Sequence, residues 1–371
     1  MNYRTLLRNL LPPFILEARY ALLRKKAYPL LTKSNWKDQD KINLEVDLKI
    51  QVDNYLESID FNRTSKYWRY LTLKNLQEIE QFGIDKYAEN VARNYFTWTN
   101  FEDSQIENLE IERYLPNLIN IYKIHHGFST SESIRHNILI QLLLSYCFQN
   151  NLQEQLMHLG DAGYAFGNHP QHLVNGKVIT LDKLASVLDY KSLAPILKDE
   201  SVLCEIGAGS GRTAEALLTL NPNCHYIIAD LPPASFIAKK RLELSFPEKR
   251  ILYIGSHSEL ASTFPKLETW DVIFCLPSLL ESLPEKSIDI LLAIDCLHEM
   301  NSIMREYFAS IASVKSDYFF MKIWKETKIP LDEIHLDGND LLNYFVRENW
   351  VLLERNNSIF PSNFMEMTFR T

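Results

Sequence analysis

A glycine-rich segment in the second half of the chain constrains the fold most strongly. An apolar run at residues 202–206 is followed by Gly207, Gly209 and Gly211, and a helical pattern opens at about Arg212. Glycines permit sharp turns and close approach of the backbone to a ligand, and a helix N-terminus offers free N–H groups. The segment therefore predicts a strand, a ligand-binding turn and a helix, which is the opening unit of an α/β domain.

The spacing of the glycines separates two kinds of nucleotide site. A dinucleotide fingerprint reads G-x-G-x-x-G and needs a small residue at position 212, where this chain has Arg212. The chain instead reads G-x-G-x-G, with Glu205 two residues before the first glycine. An acid beside the loop would serve a pyrophosphate poorly and suits a cationic sulfonium with an amino-acid tail better. A nicotinamide or flavin cofactor is therefore the weaker interpretation.

A second acid follows the next apolar run. Residues 225–229 lead to Asp230, which comes 23 residues after Gly207. An acid at the tip of the second strand of such a unit can accept hydrogen bonds from both ribose hydroxyls. Leu231 would then pack on the adenine face. Combined with the glycine loop, this pattern predicts a site for an adenosine-containing ligand.

Glycine content and hydrophobic periodicity divide the chain into two parts. Up to residue 160 glycine is almost absent and the pattern is helical, and the Asn175-Gly176 pair predicts a tight turn in a short hairpin. A helix over residues 181–197, capped by Thr180, is expected to follow. We therefore expect a mainly helical domain at residues 1–180 and a second domain at residues 181–371.

After residue 200, apolar runs alternate with amphipathic stretches. Continuous apolarity within a run is typical of a parallel strand that is covered on both faces, and the alternation predicts a doubly wound α/β domain. The runs lie at residues 202–206, 226–229, 251–254, 272–275, 288–294, 318–323, 350–353 and 364–369.

The segment EIGAGSG (Glu205 to Gly211) and the strand end at Asp230 resemble the class I S-adenosylmethionine-dependent methyltransferases over roughly residues 200–371. The resemblance implies a Rossmann-like sheet of seven strands that ends in an antiparallel hairpin. It also implies that Glu205, Gly207 and Gly209 line the methionine end of S-adenosylmethionine and that Asp230 holds the ribose. Ala208 and Gly211, in the same loop, are also expected to bind the cofactor. The acid that often follows the third strand and binds adenine is missing after residues 251–254, and Ser256 is the expected substitute.

Three polar residues follow the run at residues 288–294, at the expected carboxyl edge of the sheet: Asp295, His298 and Glu299. Methyl transfer to a hydroxyl requires removal of a proton, and a histidine suits that task. We therefore expect His298 to be the general base and Glu299 to support it, with Asp295 beside the cofactor. His298 and Glu299 could instead only shape the loop. Asp295 and Glu299 could also hold a divalent metal, although none is expected.

The whole chain resembles a narrower group, the sugar O-methyltransferases of bacterial surface-polysaccharide gene clusters. The similar features are the helical extension, the GNHP loop at residues 167–170 and the CLHEM segment at residues 296–300. The resemblance implies a sugar-hydroxyl acceptor, with Asn168 and His169 folded over the cofactor or the acceptor. A small metabolite, polyketide or peptide acceptor remains an alternative, and so does a scaffold that binds the cofactor without catalysis. The aromatic side chains around Trp68 are either helix-packing core or a stacking wall for a sugar or another flat acceptor.

Net charge and cysteine content limit the kinds of binding partner and the cellular compartment that we expect for this protein. The net charge of −8 disfavours nucleic acid, and the five cysteines lack C-x-x-C spacing, which is typical of reduced, packed thiols in a cytoplasmic protein. No signal peptide and no transmembrane run are expected. Residues 1–30 carry six basic side chains against one acid, interleaved with apolar ones. This segment fits peripheral contact with an anionic membrane, a helix docked on the protein, or a homo-oligomer contact.

Overall fold

Eight strands form one twisted, mostly parallel sheet in the part of the chain that the structure describes. The structure is a computed structural model and describes residues 45–91, 105–109, 130–160, 171–329 and 332–371. The strands of this sheet are β3 (Val202–Ile206), β4 (His225–Ala229), β5 (Ile251–Ile254), β6 (Val272–Cys275), β7 (Ile288–Ile294), β8 (Ser316–Trp324), β11 (Val351–Asn357) and β12 (Phe364–Arg370). Their spatial order is β11-β12-β8-β7-β3-β4-β6-β5.

The sheet confirms the predicted Rossmann-like α/β class and corrects its strand count. All eight apolar runs form strands, and β12 runs antiparallel to both β8 and β11, so the terminal antiparallel hairpin is present. The resemblance implied seven strands. The additional one is β5, which pairs only with β6, while β6 occupies the place beside β4.

Helices cover both faces of the sheet because successive side chains of a buried parallel strand point to opposite sides. Cys204 and Ile206 belong to one hydrophobic cluster and Leu203 to another. The described helices are α1 (Val46–Glu57), α2 (Asp60–Arg63), α3 (Lys66–Phe82), α4 (Ile84–Val91), α5 (Thr130–Gln149), α6 (Gln153–His158), α7 (Leu181–Leu193), α8 (Arg212–Leu220), α9 (Ala234–Ser245), α10 (His257–Thr263) and α11 (Ser302–Lys315).

The N-terminal helices pack directly on the sheet. Leu48 of α1 and Leu73 of α3 share one buried cluster with Ile227 of β4 and Phe308 of α11. Helix α5 packs elsewhere, in a cluster with α6 and α7. The predicted domain boundary at residue 180 stays a prediction. The packing places the loop between α2 and α3 close to the carboxyl edge of the sheet.

The segment before the sheet follows its local sequence signals. Strands β1 (His172–Val174) and β2 (Lys177–Ile179) pair around the Asn175-Gly176 turn, where both residues have positive φ. Thr180 then caps α7, because its Oγ1 accepts the N–H of Lys183 at 3.3 Å. Both features were predicted. A further hairpin of β9 (Glu326–Ile329) and β10 (Ile334–Asp337) was not.

Within the described ranges, no helix is both long and apolar enough to cross a membrane. The predictions for Asn168, His169 and the basic segment at residues 1–30 fall outside those ranges.

Candidate active site

A cavity of about 310 Å³ lies at the carboxyl ends of the central strands. In an open α/β sheet this edge is where ligands bind. Most of the site residues predicted from the sequence line this cavity, and these are Glu205, Gly207, Ala208, Gly209, Asp230, Leu231, Asp295 and Glu299. Gly211, Ser256 and His298 lie elsewhere.

The glycine loop after β3 needs glycine for two different reasons. Gly207 has φ +62°, and a Cβ on it would lie 2.8 Å from Cβ of Cys296, so a side chain would both strain the backbone and clash. Gly211 has φ +74° and precedes α8, and its missing Cβ lets Ala238 of α9 approach. Gly207 therefore shapes the cavity wall, whereas Gly211 supports helix packing behind it.

Asp230 connects the end of β4 to the glycine loop. Its Oδ2 accepts the backbone N–H of Gly209 at 2.9 Å, and its Oδ1 accepts the N–H of Leu231 at 2.6 Å. Burial raises the pKa of this carboxyl to about 7, although both N–H bonds act in the opposite direction. Each carboxylate oxygen has further lone pairs, so a ligand hydroxyl can still donate to it.

Glu205 is the second buried acid of the cavity wall. Its Oε2 accepts the hydroxyl of Tyr226 at 2.8 Å. Burial raises its pKa to about 7, against the Tyr226 hydrogen bond and the positive charge of Arg212. Two buried carboxyls next to one glycine loop create a site that gains from a cationic ligand.

Arg212 lines the cavity and is held from behind by a buried charge network that the sequence did not suggest. Its Nη1 donates to Asp189 Oδ2 at 2.6 Å and to Ser186 Oγ at 3.2 Å. Asp189 Oδ1 accepts from Lys322 Nζ at 2.8 Å, and that ammonium also pairs with Glu366 at 3.2 Å. The nearby cations keep the pKa of Asp189 below its usual value despite its burial. One residue could have indicated this network from the sequence, because Lys322 interrupts the otherwise apolar run of β8.

Asp295 is the third carboxyl of the cavity. It directly follows β7, has φ +58°, and donates its N–H to the carbonyl of Lys322 at 2.9 Å. Its Oδ1 accepts the indole N–H of Trp324 at 3.2 Å. Its side chain is 31% exposed, and burial raises its pKa to about 7. This acid thus faces the cavity with one oxygen anchored.

His298 lies behind the cavity wall instead of in it. The imidazole is 1% exposed and packs beside the rings of Trp324 and Phe364, at centroid distances of 5.5 and 5.7 Å. Its Nε2 is 3.4 Å from Oδ1 of Asp295. Burial lowers its pKa to about 3, so the ring is neutral and a poor proton acceptor. This placement argues against the predicted general-base role, whereas Glu299 does line the cavity.

The expectation for Ser256 is corrected by the strand order. Ser256 caps α10, where its Oγ accepts the N–H of Glu259 at 3.3 Å, and it does not line the cavity. Because β6 lies between β4 and β5, the strand next to β4 is β6, and it is followed by Leu276 and Pro277. Pro277 lines the cavity in its place.

The N-terminal helices supply a wall that the sequence only partly indicated. Thr64, Ser65 and Trp68 all line the cavity. Ser65 Oγ accepts the N–H of Trp68 at 3.3 Å and so caps α3. Trp68 therefore lines a cavity, and its stacking on an acceptor stays a prediction.

Two further contacts fix that wall against the rest of the site. Asn301 Nδ2 donates to the carbonyl of Arg63 at 2.8 Å, which ties the C-terminal end of α2 to the segment after β7. The carboxylate of Asp332 accepts the backbone N–H groups of Lys66 and Tyr67 at 2.7 and 2.8 Å. The start of α3 is therefore held between the sheet edge and the β9–β10 hairpin.

Across the described stretches, no group of three or more His, Cys, Asp or Glu side chains is placed to hold a metal ion. All five cysteines are buried and free.

Comparison with solved structures finds distant similarity. The pyocyanin biosynthetic protein PhzM is 12% identical with a TM-score of 0.35, and the match covers 96% of this chain and 100% of that one. Magnesium protoporphyrin IX methyltransferase (ChlM) from Synechocystis PCC 6803 is 11% identical with a TM-score of 0.34, covering 67% and 100%. A SAM-dependent methyltransferase from Aquifex aeolicus is 13% identical with a TM-score of 0.33, covering 48% and 87%. No protein-family model and no curated protein sequence matches the chain.

Proposed function

We propose that this protein binds S-adenosylmethionine and transfers its methyl group to a hydroxyl of a sugar. The observation that carries the proposal is the joint placement of Glu205, the glycine loop and Asp230 around one cavity. The hydrogen bond from Gly209 to Asp230 makes these parts one unit. A buried acidic pair beside a tight glycine turn suits a cationic nucleoside better than a pyrophosphate.

The residues present fit such a ligand in chemical type. Asp230 retains acceptor capacity for the ribose hydroxyls, and Glu205 offers a buried negative charge for the cationic end. Leu231, Ala234 and Pro277 provide an apolar wall for a flat base. S-adenosylmethionine would supply an electrophilic methyl group on sulfur. The protein's own contribution is then to align the acceptor and to exclude water.

The N-terminal wall supports a sugar as the acceptor. Trp68, Thr64 and Ser65 line the cavity together, so an aromatic residue and two hydroxyl-bearing residues share one wall. An apolar platform with a few placed polar groups is the composition expected of a selective small-molecule site.

The test is a titration followed by a transfer assay. Purified protein is titrated with S-adenosylmethionine by calorimetry, and release of S-adenosylhomocysteine is then followed with a panel of free, nucleotide-linked and polymeric sugars. The proposal expects micromolar cofactor binding and sugar-dependent product release. Product release with an apolar phenol but with no sugar of the panel would replace the sugar by another hydroxyl acceptor. Cofactor binding without any transfer would favour a scaffold that does not catalyse.

A further inference from the structure

Asp295 differs from the other acids of the cavity in the way it is held. Its Oδ1 accepts the indole N–H of Trp324 at 3.2 Å and lies 3.4 Å from Nε2 of His298. Its Oδ2 accepts no hydrogen bond from the described residues, and the side chain is 31% exposed where it lines the cavity. One oxygen is thus anchored, and the other is available to a ligand.

The surroundings of Asp295 keep its side chain in one orientation. Its left-handed backbone, with φ +58°, fixes the direction of the Cα–Cβ bond at the end of β7. Trp324 packs on His298, and both rings pack on Phe364, so the groups behind Oδ1 form a rigid aromatic cluster. A catalytic group requires this kind of support from its neighbours.

By contrast, Glu205 and Asp230, the other two buried acids of the cavity, lie at the glycine loop, where we propose that the cofactor binds. Asp230 accepts backbone N–H groups on both oxygens, one of them from the glycine loop, and Glu205 is bonded to Tyr226 behind that loop. Asp295 directly follows β7, which lies on the other side of β3 from β4. It is close in sequence to Glu299 and to the segment that contacts the N-terminal wall.

We infer that Asp295 is the proton acceptor of the transfer reaction and faces the methyl group from the acceptor side, an inference that rests on the proposed function. The acceptor hydroxyl gives its proton to Oδ2 and keeps the O–H electron pair. Its oxygen forms the new O–C bond as the C–S bond breaks, and that bond's electron pair stays on sulfur. The protonated Asp295 afterwards releases its proton to water. His298 packs behind Oδ1, with its Nε2 3.4 Å away.

The burial that raises the pKa of Asp295 to about 7 agrees with this role, because a base works best with a pKa near the working pH. The charged groups that act on Asp295 are Arg212 and Lys322, which lower its pKa, and Asp189, which raises it.

The inference can be tested by binding alone, without knowledge of the acceptor. Sinefungin is an analogue of the cofactor in which a carbon bearing a protonated amine replaces the methylsulfonium, so its ammonium occupies the place of the transferred methyl group. S-adenosylhomocysteine has nothing at that place. The ratio of the two dissociation constants therefore reports a charge that faces the methyl position.

We expect the wild-type protein to bind sinefungin more tightly than S-adenosylhomocysteine, and Asp295→Asn to reduce this preference about tenfold or more. The affinity of the variant for S-adenosylhomocysteine should stay within about threefold of wild type. Asparagine tolerates a left-handed backbone, so the variant is expected to fold. Asp230→Asn should weaken both ligands alike, and the exposed Asp199→Asn should change neither.

Three results would overturn the inference. An equal loss of affinity for both ligands in Asp295→Asn would mean that this acid contacts a part of the cofactor that the two ligands share. An unchanged preference would mean that it does not face the methyl position, and a preference lost in Glu299→Gln instead would assign the role to Glu299. Failure of wild type to bind either ligand would instead count against the proposed function itself.

Discussion

The backbone N–H of Gly209 donates to Oδ2 of Asp230 at 2.9 Å, and this bond joins the loop after β3 to the end of β4. Because β3 and β4 are adjacent parallel strands, their carboxyl ends lie side by side, and the bond closes the floor of the cavity between them. The same carboxylate is the group that we expect to hold the ribose. Structural support and ligand binding are thus combined in one side chain.

Replacing Asp230 with alanine should weaken S-adenosylmethionine binding about 10- to 100-fold, because hydrogen bonds to a buried carboxylate are among the stronger ones. Calorimetric titration measures the effect. Asp199→Ala, a change at an exposed turn residue, is the control and should bind like wild type. Unchanged affinity in Asp230→Ala would contradict the assignment of the ribose site.

Cofactor binding should release protons near neutral pH. Glu205, Asp230 and Asp295 have pKa values raised to about 7, so each is partly protonated in the free protein at that pH. A cationic ligand favours the carboxylate form and lowers these values. Affinity should therefore fall severalfold from pH 8 to pH 6. Calorimetric titrations at pH 7 in buffers of different ionisation enthalpy would detect the protons released on binding. A binding enthalpy that is the same in every buffer would show that no protons are released and would contradict the prediction.

In the ligand-free protein, the contribution of Asp230 to stability should fall as pH rises. The folded-state pKa of Asp230 is about 7 against an ordinary 3.8, so the folded state holds the proton more tightly than the unfolded chain. Ionisation of the buried Asp230 carboxyl destabilises the folded state. This destabilisation is absent below about pH 4, grows between about pH 4 and pH 7, and is complete above about pH 7. Asp230→Asn should therefore raise the free energy of unfolding at pH 8 by about 1–3 kcal/mol, and by less at pH 5. Denaturant unfolding at both pH values checks this, and an equal effect at both would contradict it.

Gly207→Ala should destabilise the protein by about 2–4 kcal/mol, since it combines a positive φ with a clash in a packed region. The new Cβ would lie 2.8 Å from Cβ of Cys296. A second change, Cys296→Gly, removes that atom and should recover part of the loss, whereas the backbone strain would remain. Thermal unfolding of both variants measures this, and absence of any recovery would show that the clash is not the cause.

Trp68→Ala should affect the acceptor and spare the cofactor. The indole lines the cavity from α3, on the wall formed by the N-terminal helices. We expect an increase in the KM for the acceptor of about tenfold or more, with the dissociation constant of S-adenosylmethionine within about threefold of wild type. Trp68→Phe keeps an aromatic surface and should retain much of the activity. An equal loss of cofactor affinity would mean that Trp68 contacts the cofactor as well as the acceptor.

The parts of the site that depend on adjacent residues could be predicted from the sequence. Glu205, Gly207 and Gly209 lie in one strand-turn-helix segment, and Asp230 ends the following strand, so local pattern fixes their common edge. Most strand positions also followed from apolar runs, because buried parallel strands are continuously apolar.

Residues whose role depends on tertiary neighbours could not be predicted in this way. Ser256 follows β5, and nothing in the short apolar runs of β5 and β6 reveals that β6 takes the place beside β4. His298 is shielded by Trp324 and Phe364, which come from other strands, so its low pKa is invisible in its own segment. Thr64 reaches the cavity from a helix connection far away in the sequence.

The most direct test of the account is calorimetric titration of the purified protein with S-adenosylmethionine and, separately, with NADH. The site predicts micromolar binding of S-adenosylmethionine and none of NADH, because Glu205 places a buried acid beside the glycine loop and Arg212 replaces the small residue of a dinucleotide fingerprint. Binding of NADH in place of S-adenosylmethionine would contradict it.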